Sequence, residues 1–190
     1  MRPPVTVVSG LPRSGTSLAM QMIHAGGVPA FTDGQRTSDD DNPRGYFELE
    51  RVKQLRTDKA WLDDAAGKAV KVIHLLLAEL PDDRPYRVVF MRRDLREVVR
   101  SQSTMLARSG RAGGGLAPER LMAVYEQQLA AVASWLAARP NFAVLDVPYA
   151  ELVAAPAGWV PRINAFLGGG LDEAAMAAAV DPALHRNRAG

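Results

Sequence analysis

Short apolar runs alternate along this chain with longer segments whose apolar residues recur every three or four positions. The short runs are rich in β-branched residues and predict strands at residues 5–9, 69–73, 86–91 and 142–147. The longer segments have the periodicity of amphipathic helices. Strands that alternate with helices are typical of a parallel sheet. The pattern therefore predicts an α/β fold in three layers, with a central parallel sheet flanked by helices.

Caps and breakers set the predicted helix boundaries. Gly26 follows the first helix, Asp94 can cap a later one, and Pro118 stands at the start of the longest. The predicted helices cover residues 16–25, 46–61, 95–106, 118–139, 149–153, 156–167 and 171–180. Because no internal repeat or linker divides the chain, we expect a single domain over residues 1–190.

Composition and charge exclude several classes of function. The formal net charge is +2, aromatic residues make up 6%, and no basic run is interleaved with aromatics, so nucleic-acid binding is not expected. The absence of cysteine excludes disulfides, thiolate zinc sites and a catalytic thiol. No apolar run approaches the length of a membrane span, and the first strand begins too early for a signal peptide. We therefore expect a cytoplasmic protein that does not bind membranes.

A glycine-bounded loop follows the first strand, with the sequence Gly10-Leu-Pro-Arg-Ser-Gly-Thr-Ser17. Its glycines have the spacing of a nucleotide P-loop, in which backbone N–H groups and a helix N-terminus bind an anion. The lysine that follows the second glycine of a nucleotide P-loop is replaced by Thr16, and the cation stands earlier, at Arg13. The loop predicts a P-loop-like fold that binds a phosphate-like group, and it disfavours an ordinary ATPase or GTPase.

Cationic or titratable side chains follow three of the predicted strands. Arg13 follows the first, Lys71 and His74 lie at the end of the second, and Arg92 and Arg93 follow the third. Since parallel strands end at the same edge of a sheet, we expect these side chains to converge there on a ligand with more than one anionic group. Neighbours in an extended strand face opposite sides, so Arg92 is interpreted as structural.

Four segments of the chain resemble sulfotransferases that use 3′-phosphoadenosine 5′-phosphosulfate (PAPS). Residues 10–17 are similar to the family's 5′-phosphosulfate loop, and residues 88–101 to its 3′-phosphate strand and helix. Residues 149–168 resemble the family's Tyr-x-Asp/Glu-Leu…Pro…Ile…Phe-Leu-Gly segment near the nucleotide, and residues 186–188 its C-terminal basic segment. The resemblance implies that PAPS is bound by Pro12, Arg13, Ser14, Gly15, Thr16, Ser17, Arg93, Ser101, Tyr149, Arg186 and Arg188.

The resemblance also implies catalytic roles. Arg13 would stabilise the leaving phosphate, while Lys71 would either assist at the sulfuryl group or snorkel from a buried strand. A base must take the acceptor's proton. His74 lies in a stretch similar to the Lys-x-His-Leu-Pro of cytosolic sulfotransferases, with one residue inserted. Asp33 lies in the region where members with a Pro-Arg-Ser-Gly-Thr loop carry a catalytic glutamate, and Glu48 is a third candidate.

The expected reaction is sulfuryl transfer from PAPS to a hydroxyl or amine of a small-molecule or peptide acceptor, giving 3′,5′-ADP without a metal. Residues 31–45 and 108–117 are polar or glycine-rich and are predicted to lie on the acceptor side. The acids at residues 39–41 could bind a divalent cation, but their adjacency favours a solvated surface. The alternatives are a P-loop nucleotide kinase or other phosphotransferase, and a non-catalytic nucleotide-binding protein of the same fold.

Overall fold

The structure, a computed structural model, describes residues 3–35, 45–108 and 116–181 and contains a four-stranded parallel sheet in the order β2-β1-β3-β4. The strands are β1 (Val5–Gly10), β2 (Ala69–Lys71), β3 (Tyr86–Arg92) and β4 (Phe142–Pro148). In the register, Val7 of the central strand β1 lies beside Val70 on one side and Val88 on the other. The predicted parallel sheet is therefore confirmed, and its order places the loop after β1 between the ends of β2 and β3.

Within the described residues, six α-helices and three 3₁₀ segments surround the sheet. The helices are α1 (Thr16–Ala25), α2 (Leu95–Arg108), α3 (Pro118–Ala137), α4 (Tyr149–Ala154), α5 (Pro156–Leu167) and α6 (Glu173–Ala178), and the 3₁₀ segments are Glu50–Gln54, Ala60–Leu62 and His74–Glu79. Asp94 caps α2 by accepting the backbone N–H of Arg96 at 2.8 Å. No helix within the described ranges is long and apolar enough to cross a membrane.

The two faces of the sheet bury separate cores. Val7 and Val88 face a core formed with the 3₁₀ segments and α3, whereas Val8 and Val89 face α1, α4, α5 and α6. This alternation follows from the two-residue period of a strand, and it produces the predicted three layers. All four valines are fully buried, and each contributes roughly 1.5–3 kcal/mol of hydrophobic stabilisation relative to an exposed position.

A smaller apolar cluster fixes α2 against the loop after β1. It joins Leu11 of the loop to Val98 and Val99 of α2 and to Tyr125 of α3. The Tyr125 hydroxyl also donates to Oε1 of Gln102 at 2.6 Å. These contacts hold the first two turns of α2, including its polar side chains, beside the loop.

Two predicted helices differ from the observed elements. The predicted helix over residues 46–61 is wrong, because this segment contains two 3₁₀ segments, Glu50–Gln54 and Ala60–Leu62, with irregular backbone before the first and a turn between them. Its buried apolar residues recur every third position, at Tyr46, Leu49, Val52 and Leu55, which matches three residues per turn better than 3.6. The last helix is shorter than predicted because Asp172 caps it, accepting the N–H of Ala175 at 2.9 Å.

Candidate functional site

The loop between β1 and α1 has a constrained backbone. The φ angle is 146° at Gly10, 70° at Arg13 and 102° at Gly15. A Cβ atom at Gly10 would lie 2.8 Å from the carbonyl oxygen of Met91, so the approach of these two backbones requires glycine. Arg13 holds a left-handed conformation that costs a non-glycine residue about 1–2 kcal/mol, a type of strain that clusters at functional sites. The loop leads into the N-terminus of α1, where N–H groups and the helix dipole favour an anion.

The other predicted loop residues lie around this turn. Pro12 is exposed, Ser17 is half-buried, and Ser14 and Thr16 are buried. The Ser14 N–H donates to the carbonyl oxygen of Leu11 at 3.1 Å, which closes the turn. The Ser14 hydroxyl has no hydrogen-bond partner in the described part of the chain, and a bound anion could complete its hydrogen bonding.

Arg13 joins the loop to α2. Its Nε donates to Oγ of Ser101, a buried residue of α2, at 3.0 Å. The two residues are far apart in sequence, but the contacts of Leu11 with Val98 and Val99 bring α2 against the loop. Two residues predicted to contact opposite ends of one nucleotide are therefore neighbours.

Arg93 is held from three sides beside the same loop. Its Nη1 donates to the carbonyl oxygen of Arg13 at 3.0 Å, and its Nε donates to Oε2 of Glu97 at 2.8 Å. Its guanidinium lies over the Tyr149 ring, 4.5 Å from the centroid, in cation–π geometry. The ion pair with Glu97 is buried, with side-chain exposures of 8% and 7%.

Tyr149, the first residue of α4, packs against the loop and Arg93. A Cβ atom at Gly15 would lie 2.4 Å from Cδ2 of Tyr149, so the ring packs directly on the loop backbone. Burial raises the pKa of the Tyr149 phenol, and Arg93 lowers it to a smaller extent. We call Arg13, Arg93, Ser101 and Tyr149 the arginine cluster; with Glu97 it carries two cations against one carboxylate, an arrangement suited to an anionic ligand.

Arg92 has different surroundings from its neighbour. Its Nε donates to Oδ1 of Asp146 on the adjacent strand at 2.6 Å, and its guanidinium lies 4.4 Å from the Phe90 ring centroid. As expected from strand alternation, it points away from the arginine cluster and pairs with a residue of β4.

Lys71 stands on the other side of the loop, at the end of β2. Its Nζ donates to Oγ of Ser17 and to the carbonyl oxygen of Tyr46, each at 3.1 Å. Oε1 of Glu48 lies 3.6 Å from the same Nζ. The Lys71 ammonium group therefore contacts the first turn of α1 and lies beside the carboxylate of Glu48.

The first two of the three candidate bases, Asp33 and His74, lie in contrasting places. Asp33 is exposed, and its two carboxylate oxygens accept the N–H groups of Gln35 at 3.0 Å and Glu50 at 2.6 Å. The hydrogen bond from Glu50 is the main cause that lowers the Asp33 pKa. His74 is 2% exposed. Its Nε2 lies 2.9 Å from Oε1 of Gln128, while its buried Nδ1 has no partner in the described residues.

The sequence did not single out Glu97, and it gave Glu48 only as the third candidate base, yet both acids lie near these cations. Glu97 pairs with Arg93, and the separation of four residues at a helix start was an available signal. Glu48 pairs with Lys71, which is distant in sequence, so only the fold brings the two together.

Some predicted features lie outside the described residues. These are Arg186, Arg188, the acids at residues 39–41 and most of the two predicted acceptor loops. Within residues 3–35, 45–108 and 116–181, no group of three histidine, cysteine, aspartate or glutamate side chains is arranged to hold a metal ion.

Comparison with known proteins identifies the family. The sequence model of the sulfotransferase family matches residues 38–173, well over half of the chain, although the match begins after the loop of residues 10–17. The chain therefore belongs to the sulfotransferase family, which places it among the transferases. No curated protein matches the sequence significantly.

Solved structures share the fold at low sequence identity. The sulfotransferase domain of the Synechococcus PCC 7002 olefin synthase is 16% identical, with a TM-score of 0.56 over 97% of this chain and 87% of that one. A sulfotransferase from Alicyclobacillus acidocaldarius is 17% identical, with a TM-score of 0.51 over 99% and 98%. Retinol dehydratase in complex with androsterone and the inactive cofactor PAP is 19% identical, with a TM-score of 0.54 over 95% and 64%. The P-loop-like α/β sulfotransferase fold is thereby confirmed.

Proposed function

We propose that this protein transfers a sulfuryl group from PAPS to a hydroxyl or amine of a small-molecule or peptide acceptor and releases 3′,5′-ADP. The observation that carries the proposal is the arginine cluster. It places Arg93 and Ser101 against Arg13 of a glycine-bounded loop, so that two anion-binding groups adjoin one helix N-terminus. PAPS carries a 5′-phosphosulfate and a separate 3′-phosphate, and it needs two such groups.

The residues of the site fit PAPS as the source of the sulfuryl group. The loop N–H groups, the N-terminus of α1 and Arg13 would hold the phosphosulfate. Arg93 and the Ser101 hydroxyl would hold the 3′-phosphate, with Tyr149 beside the nucleotide. Retinol dehydratase shares the fold and was solved with PAP, which is another name for 3′,5′-ADP. That complex supports the same class of nucleotide for this protein.

Sulfuryl transfer needs in-line positioning and stabilisation of the charge that develops on the leaving phosphate. Arg13 would supply the positive charge from the loop, and Lys71, held on Ser17, would supply it from the β2 side. Both cations are fixed by hydrogen bonds to neighbouring elements, so little reorganisation accompanies the reaction. His74, Asp33 and Glu48 are the candidates for the base.

The nucleotide-kinase alternative is not favoured, because Thr16 stands where the phosphate-binding lysine of a P-loop would be. A thermal-shift comparison separates the two functions. We expect 3′,5′-ADP at 100 times its Kd to stabilise the protein by about 2.7 kcal/mol, and Mg-ATP at the same concentration to have little effect. Stabilisation by Mg-ATP alone would contradict the proposal.

The non-catalytic alternative is tested with PAPS itself. The proposal predicts that the protein converts PAPS to 3′,5′-ADP in the presence of a pool of hydroxyl and amine acceptors, and that Arg13→Ala loses this activity. Binding of 3′,5′-ADP without any turnover of PAPS would instead support a nucleotide-binding protein that has lost catalysis.

A further inference from the structure

The segment of residues 45–50 carries a carboxylate to the edge of the sheet where the transfer would occur. We infer that Glu48 is the base that takes the acceptor's proton, and that Asp33 is a positioning residue that holds Glu48 in place. This inference rests on the proposed function and assigns residues to its proton-transfer step. It reverses the order of the sequence prediction, in which Asp33 preceded Glu48 as the candidate base.

The location of Glu48 is defined by its contacts. Oε1 of Glu48 lies 3.6 Å from Nζ of Lys71, and the same Nζ donates to Oγ of Ser17 at 3.1 Å. Ser17 belongs to the first turn of α1, directly after the loop that would hold the phosphosulfate. The Glu48 side chain is 31% exposed, so an acceptor could approach it from solvent, whereas the Lys71 side chain is 11% exposed.

Two hydrogen bonds fix the backbone on either side of this carboxylate. The Thr32 hydroxyl donates to the carbonyl oxygen of Glu48 at 2.6 Å. The carboxylate of Asp33 accepts the N–H of Glu50 at 2.6 Å, and its other oxygen accepts the N–H of Gln35 at 3.0 Å. Asp33 thus ties its own loop to the segment that carries Glu48, and the bonds that do so occupy its oxygens and lower its pKa.

In the inferred step, the acceptor oxygen forms a bond to sulfur while the bond between sulfur and the 5′-phosphate oxygen breaks. The electron pair of the broken bond stays on the phosphate, beside Arg13, and 3′,5′-ADP leaves. The acceptor's proton passes to the Glu48 carboxylate. Lys71, between Glu48 and Ser17, faces the negative charge on the transferring group.

The other candidates have less suitable surroundings. His74 is buried and its Nε2 is engaged with Gln128 of α3, so the ring would have to leave its present contacts to reach an acceptor. Asp33 is a weaker base in this structure, since two backbone N–H groups stabilise its ionised form. A simpler role for Glu48 is to balance the charge of Lys71, and the experiment must separate this role from proton transfer.

The test measures release of 3′,5′-ADP from PAPS, with 2-naphthol as the acceptor probe, together with the Kd for 3′,5′-ADP. We expect Glu48→Gln to lower kcat at least about 100-fold, the usual scale of general-base catalysis, and to leave the Kd within about twofold. Glu79→Gln is the matched control, because Glu79 is 28% exposed and its ion pair at 2.9 Å is with Arg56, which has no place in the proposed site. It should leave both quantities unchanged.

Two double variants distinguish the roles. Glu48→Gln should lower kcat further in a Lys71→Met background, because a base acts independently of its neutralising partner; the absence of a further loss would show that Glu48 only balances Lys71. Asp33→Asn should lower kcat about tenfold with an unchanged KM for PAPS, since it removes one backbone bond worth about 1–2 kcal/mol. It should add nothing in a Glu48→Gln background.

Each remaining outcome is decisive. Full turnover in Glu48→Gln overturns the inference. So does a wild-type protein that binds 3′,5′-ADP and releases none from PAPS, although the proposed nucleotide site would then stand. A wild-type protein that does not bind 3′,5′-ADP contradicts the proposed function itself.

Discussion

At the scale of single residues, Arg92 and Arg93 are adjacent in the chain and have opposite surroundings. Arg92 pairs with Asp146 of β4, whereas Arg93 lies between Glu97, the carbonyl oxygen of Arg13 and the Tyr149 ring. The end of strand β3 produces this difference, because successive side chains point to opposite faces. Arg93 should therefore discriminate nucleotides by their 3′-phosphate, and Arg92 should not.

The conservative substitution Arg93→Lys tests this discrimination. Lysine keeps a positive charge opposite the buried Glu97 but lacks the planar fork of arginine. We expect the affinity for 3′,5′-ADP to fall about 10- to 100-fold, the equivalent of one hydrogen bond to a charged group, with little change for 5′-AMP. Isothermal titration calorimetry measures both.

Arg92→Lys is the control for that experiment and should bind both nucleotides like the wild type. An equal loss of both nucleotides in Arg93→Lys would mean that the substitution distorts the loop through Arg13 rather than removing a phosphate contact.

The sequence selected Arg13 from the glycine spacing of the loop, and Arg93 from the resemblance of residues 88–101 to the 3′-phosphate segment of sulfotransferases. The fold brings these two residues into contact, and their roles in binding stay predictions. The sequence could not rank Glu48, because the proximity of Glu48 to Lys71 depends on how residues 45–50 cross the end of β2. It also could not show that Asp33 bonds to the backbone of Glu50.

At the scale of elements, the junction of the loop, α1 and α4 is packed with no space for an added side chain. Gly15 combines a φ of 102° with contact to the Tyr149 ring. Gly67 has a φ of 72°, but a Cβ atom there would meet nothing within 4 Å. The two glycines therefore share a positive φ that would strain any other residue, and they differ in packing.

Alanine substitutions at these two glycines separate strain from packing. Gly67→Ala should lower the free energy of unfolding by about 1 kcal/mol through strain alone. Gly15→Ala should lower it by roughly 1–3 kcal/mol more, because the methyl group displaces a rigid ring, and it should also weaken 3′,5′-ADP binding. Urea unfolding provides the comparison, and equal losses would contradict close packing of Tyr149 on the loop.

Element prediction from sequence depended on whether the periodicity was unambiguous. The β-branched runs correctly marked the strands, and Gly26, Asp94 and Pro118 correctly marked helix ends. The helix prediction for residues 46–61 was wrong because an apolar repeat of three residues was interpreted as a repeat of 3.6. The error concerns the proposed site, because the irregular stretch before Glu50–Gln54 carries Glu48, the base inferred above.

At the scale of the whole molecule, the sheet order β2-β1-β3-β4 assigns the two sides of the site. With β1 central, its loop contacts Arg93, which follows β3, on one side, and the helix start after the loop contacts Lys71 of β2 on the other. A nucleotide with two anionic groups and a reacting sulfuryl group fits this division, because the 3′-phosphate would lie on the β3 side and the transfer on the β2 side. The sequence predicted parallel strands, but the order requires the long-range pairings of the fold.

The most direct test of the central claim is a crystal structure with 3′,5′-ADP bound. We expect the 5′-phosphate on the loop of residues 10–15 and the 3′-phosphate within hydrogen-bond distance of Arg93 and Ser101, with the adenine ring near Tyr149. A nucleotide bound elsewhere, or one whose 3′-phosphate lies beside Lys71 and Glu48, would contradict that claim.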